Sequence, residues 1–69
     1  MITTKELLKI IQTKQSSTTR ARRQLTGGIT SEYQFTNNQD GTIDGGRDYL
    51  REVSVDQFYQ LFSGSSWSV

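Results

Sequence analysis

The sequence predicts an α+β fold with two N-terminal helices, a β-hairpin and a short C-terminal helix. Three observations carry this. Apolar residues recur at helical spacing behind a capping-box pattern at Thr3 and Glu6. The period then changes to alternation past Gly27 and Gly28. Finally, Ser54 and Gln57 repeat the capping pattern ahead of a second helical stripe. The chain has 69 residues, which allows one small domain, expected over residues 1–62, with 63–69 as a flexible or partner-docking tail.

The first helix is expected near residues 3–13, where Leu7, Leu8, Ile10 and Ile11 form one apolar face and Lys5 and Lys9 lie a turn apart on another. A second helix is expected near 17–26, started by Ser16 or Ser17 and ended by the glycines. Its apolar strip is narrow, only Ala21 and Leu25, and its remaining surface carries Arg20, Arg22 and Arg23. On a helix Arg20 and Arg23 share a face, and Arg22 points elsewhere. Between about 29 and 53 a hairpin is expected, with Tyr33 and Phe35 facing inward and "TNNQDGT" as its turn. The last helix, near 54–62, presents Val55, Phe58, Leu61 and Phe62. The expected core is Leu7, Leu8, Ile10, Ile11, Ala21, Leu25, Tyr33, Phe35, Tyr49, Val53, Phe58, Leu61 and Phe62.

Hydrophobic residues make up 32% of the chain, and it has neither cysteine nor histidine. Disulfides and the usual zinc ligand sets are therefore excluded, and self-association or docking on a larger partner is an expected source of stability. A net charge of +1 hides a division. Residues 1–26 hold Lys5, Lys9, Lys14, Arg20, Arg22 and Arg23 against Glu6, and residues 27–69 hold six carboxylates against Arg47 and Arg51. The first third of the chain is thus suited to an anionic partner.

The stretches "ITTKELLKII", "SSTTRARRQLTGG" and "RDYLREVSVDQFYQLF" together resemble the small winged helix-turn-helix proteins of the excisionase and MerR-like superfamily. The resemblance covers most of residues 2–62. It implies that Ser17, Thr19, Arg20, Arg23 and Gln24 face the major groove of double-stranded DNA or its flanking phosphates. It also implies that the hairpin, through Asn37, Asn38 and Thr42, acts as a wing near the minor groove. Arg22, Lys5 and Lys14 are further cations assigned to DNA contact. Members of this group act beside a recombinase or as small regulators, so DNA is the expected partner and a recombinase or other larger protein a further one. Two departures stand out: the turn between the helices is "KQS", and the wing carries Asp40 and Asp44.

Other chemistries find little footing. "NxDGTID" looks like the middle of a calcium loop, but that register places Thr36 and Arg47 where carboxylates are required, so no metal is expected. Without His or Cys no Ser–His or Cys–His nucleophile can be built, and "TGGITSEY" is no Walker loop. No enzyme activity, cofactor or small-molecule substrate is expected. No apolar run approaches the roughly 18 residues of a spanning helix, so a cytoplasmic protein with no membrane partner is expected. The competing expectation is a small protein-binding inhibitor or adaptor that uses its acidic C-terminal half and Trp67.

Overall fold

Along Thr18–Gln24, burial alternates: Thr19 and Ala21 are buried, and Thr18, Arg20 and Arg22 are exposed. That is the period of a strand, and the computed structural model, which describes residues 1–14 and 18–69, makes this segment one. The strands are β1 (Ile2–Thr3), β2 (Thr18–Gln24), β3 (Thr30–Asn37), β4 (Thr42–Asp44), β5 (Val53–Ser54) and β6 (Ser66–Ser68). They form one sheet of order β1-β6-β2-β3-β4-β5, antiparallel at every pairing. Helices α1 (Thr4–Thr13) and α2 (Val55–Leu61) lie against one of its faces.

The winged helix-turn-helix expectation is therefore overturned, because the segment expected as the second helix is the long inner strand β2. The physical reason lies in what a helix here would bury. Ala21 and Leu25 alone cannot hold a ten-residue helix on a core, and helices in proteins draw most of their stability from such packing. As a strand, the same residues gain seven paired positions with β3, from Thr18↔Thr36 to Gln24↔Thr30, and three more with β6. Gly27 and Gly28 still adopt positive φ, at 75° and 79°, but they turn β2 into β3 instead of ending a helix.

Both helices begin in the same way. Each of the sheet's outermost strands, β1 and β5, runs into a helix whose N-cap hydroxyl, Thr3 or Ser54, accepts from the backbone N–H three residues on. At Thr3 the box closes, since the Glu6 carboxylate accepts from the Thr3 N–H at 3.0 Å. The long β3 pairs with β4 only at Thr36↔Asp44 and Asn37↔Ile43.

The core lies between the helices and the inner sheet face. Five aromatics, Tyr33, Phe35, Phe58, Phe62 and Trp67, meet with centroids 5.1–6.0 Å apart, mostly edge to face. Residues 63–69, expected as a tail, instead supply β6, and its Trp67 is 0% exposed. The Trp67 indole N–H donates to the Thr4 hydroxyl at 2.9 Å, and that hydroxyl donates to the Phe62 carbonyl. One buried threonine thus ties the start of α1 to the end of α2 and to β6. Of the expected core, Ile10 is half-buried and Leu25, Tyr49 and Leu61 are exposed, while Ile43, Leu50 and Trp67 take up the space. Leu50 is seated by a close approach: a Cβ on Gly45 would lie 2.7 Å from the Leu50 Cβ. Among the described residues, no helix is long and apolar enough to cross a membrane.

Candidate nucleic-acid interface

Strand geometry rearranges the three arginines. Side chains two residues apart share a sheet face, so Arg20 and Arg22 point together to the outer, helix-free face and Arg23 points to the inner one. This reverses the helical expectation that paired Arg20 with Arg23. The Arg23 guanidinium donates from Nε to the Ser65 hydroxyl at 3.0 Å and lies 5.3 Å from the Phe62 ring centre. Thr19 also faces inward and is 1% exposed, so it cannot meet DNA. Ser17 lies outside the described residues.

The register fixes the composition of the outer face. Across β2 and β3 it carries Thr18, Arg20, Arg22 and Gln24 opposite Thr36, Gln34, Glu32 and Thr30. No aromatic stands among them, so the face has no platform on which single-stranded bases could stack. Most of these side chains are already engaged. Thr18 and Thr36 share a hydrogen bond between hydroxyls at 3.3 Å, and the Gln24 amide donates to Ser68 at 2.9 Å. Arg22 approaches its cross-strand partner Glu32 at 3.6 Å, both largely in water, which makes the ion pair worth at most about 1 kcal/mol. Arg20 and Gln34, directly opposite each other in mid-ribbon, have no hydrogen-bond or ion-pair partner among the described residues.

Beside this pair the sheet is incomplete. β6 covers β2 only from Arg22 to Gln24, leaving a shallow recess of about 330 Å³ lined by Arg20, Ala21, Arg22, Glu32, Ser68 and Val69. The other expected contacts lie elsewhere. Lys5 is exposed on α1, in the layer on the opposite side of the sheet, and Lys14 is exposed at the C-cap of that helix.

The wing residues are consumed by their own turn. The Asn37 amide donates to the Gln12 carbonyl at 3.3 Å, and its oxygen accepts from the Gln39 N–H. The Asn38 amide donates to the Thr42 hydroxyl at 3.0 Å, and that hydroxyl donates to Asp40. The Thr42 hydroxyl and then its backbone N–H hold the Asp40 carboxyl below its usual value. With this carboxylate at its tip, the turn is poorly suited to phosphates.

Sheet order keeps the charges apart. β1, α1 and β2 carry the basic third of the sequence at one side, and β4, β5 and α2 carry Asp44 and Asp56 at the other. The sequence points to Arg20 and Arg22 but not to Gln34, whose signal is its alternation with Tyr33 and Phe35 in "YQF". Compared with protein-family models, with curated proteins and with solved structures, the chain matches none.

Proposed function

We propose that this protein is a non-enzymatic DNA-binding protein that lays the outer face of its β2–β3 ribbon into the major groove of double-stranded DNA. The observation that carries the reading is the uncommitted Arg20–Gln34 pair, exposed side by side at the centre of a two-stranded ribbon. Arginine and glutamine are side chains whose planar ends match guanine and adenine bidentately, and the major groove admits a two-stranded ribbon. Arg22, one strand repeat away, is placed to exchange its weak surface pair with Glu32 for a phosphate. The charge division sets the direction of approach, with β2 leading and the acidic β4–β5 side turned outward.

The test is binding of the wild-type protein to a mixed-sequence duplex, measured across a salt series. Binding at low salt that weakens as salt rises, with a log–log slope of about −0.9 for each phosphate contact, supports the reading. In that case Gln34→Ala should reduce discrimination between duplex sequences while leaving the salt slope unchanged. A protein that ignores duplex DNA at low salt fails it. The protein-binding alternative would then rest on the acidic side with its exposed Tyr49 and Tyr59, since Trp67 is enclosed.

A further inference from the structure

Arg23 and Arg47 are half-buried, and no carboxylate pairs with either among the described residues. They come from distant parts of the chain and lie over adjacent rings on the helix side of the sheet, away from Arg20 and Arg22. Each lies over an aromatic ring: Arg47 is 4.1 Å from the centre of Tyr33, Arg23 is 5.3 Å from that of Phe62, and the two rings are 5.4 Å apart. Ser31 joins them, because it is the cross-strand partner of Arg23 and its hydroxyl accepts from Arg47 Nη2 at 3.3 Å.

The contacts that hold these guanidiniums leave much of each fork unused. Arg47 is anchored through Nη2 alone, to the Glu32 carbonyl at 2.8 Å and to Ser31, so its Nε and Nη1 donors remain. Arg23 is anchored through Nε to Ser65. Burial pushes the Tyr33 hydroxyl up, but hydrogen bonds with Ser31, Tyr49 and Arg23 and the charge of Arg47 outweigh it and leave its pKa below the usual 10.0.

Two partly desolvated cations without a counter-ion repel each other, and the repulsion grows as the dielectric falls. Cation–π contact with the rings offsets part of it. An anion accepting from both forks removes it, and planar guanidinium forks are matched to tetrahedral oxyanions more closely than to a spherical halide. We infer that Arg23 and Arg47, with the hydroxyl group of Ser31 beside them, form a binding site for a phosphate group. The site is independent of the DNA reading, because it uses neither Arg20 nor Gln34.

The probe is inorganic phosphate, titrated into wild-type protein with chloride adjusted to keep ionic strength constant and amide shifts followed by NMR. Saturable shifts confined to the neighbourhood of Arg23, Ser31, Tyr33 and Arg47, with a phosphate-dependent rise in melting temperature, are the expected result. Arg47→Gln should abolish the response, and Arg20→Ala should keep it. Adenosine monophosphate is the second arm. Binding at least as tight as phosphate marks a phosphate carried on an organic group, a response to phosphate alone marks the free ion, and both support the site. Phosphate that acts no differently from chloride on the wild type overturns it, whether or not the variant folds. A response that persists in Arg47→Gln also overturns it.

Discussion

The two faces of the sheet are built from the same strands but do different work. The inner face of β2 and β3 presents Thr19, Ala21, Arg23, Ser31, Tyr33 and Phe35 to the helices. The outer face of the same fourteen paired positions presents only Thr, Arg, Gln and Glu. Removing side chains from the first should cost folding. Removing them from the second should cost whatever the protein binds. The division shows that a chain with 32% hydrophobic residues can still make a core when five of its seven aromatics are spent on one side.

The largest effect expected is on the inner face at Trp67. Trp67→Ala removes the hub of three ring contacts and a buried N–H···O bond, and should destabilise by about 3–5 kcal/mol, enough to unfold a marginal small domain. Urea denaturation followed by circular dichroism reads it. Trp67→Ala that folds with unchanged stability would restore the view of residues 63–69 as a tail.

A smaller and opposite effect is expected at Thr19 on β2. The Thr19 hydroxyl is buried with no hydrogen-bond partner among the described residues. Thr19→Val keeps the shape and removes the orphaned group, so it should stabilise by about 1 kcal/mol in the same denaturation experiment. A loss of that size would mean that the hydroxyl is satisfied.

On the outer face the Arg22–Glu32 pair should give a coupling energy below about 1 kcal/mol in a double-mutant cycle, falling with salt. The pH effect should be slighter still. Backbone and then side-chain hydrogen bonds from Thr3 hold the exposed Glu6 carboxyl below its usual 4.5. A carboxyl depressed in the folded state stabilises above its unfolded pKa and loses that contribution as pH falls through the folded one. Melting temperature should therefore decline below about pH 4.5, and Thr3→Ala, which removes the bond from the Thr3 hydroxyl to the carboxylate, should flatten that decline.

The two faces also differ in how far the sequence betrays them. α1 and α2 occupy the segments expected for the first and last helices, because each carries a hydroxyl N-cap and a hydrophobic stripe at one period. β2 hides its period. Its inner positions are a threonine, an alanine and an arginine, so alternation in hydrophobicity is nearly absent, and Arg, Ala and Gln read as helix formers. What makes it a strand is pairing on both sides with β3 and β6, which are far from it in sequence or set off by a turn. Trp67 is concealed for a related reason, since a three-residue strand among serines offers no periodic window. The site followed the same logic. Which arginines act together depends on whether the period is 3.6 or 2, and the residues alone favoured the wrong one.

The three arginines of β2 give the most direct test, because each is a single exchange on one short strand. Arg20→Ala, Arg22→Ala and Arg23→Ala should be compared in one experiment that pairs a salt titration of duplex binding with urea denaturation. Arg20→Ala and Arg22→Ala should weaken binding, Arg20→Ala by about 1–3 kcal/mol, with stability within about 0.5 kcal/mol of the parent. Arg23→Ala should lose about 1–2 kcal/mol of stability with its Ser65 bond and its place over Phe62, and should bind DNA as the parent does. Binding losses shared by Arg20→Ala and Arg23→Ala but spared in Arg22→Ala would be the signature of a helical face and would contradict the sheet.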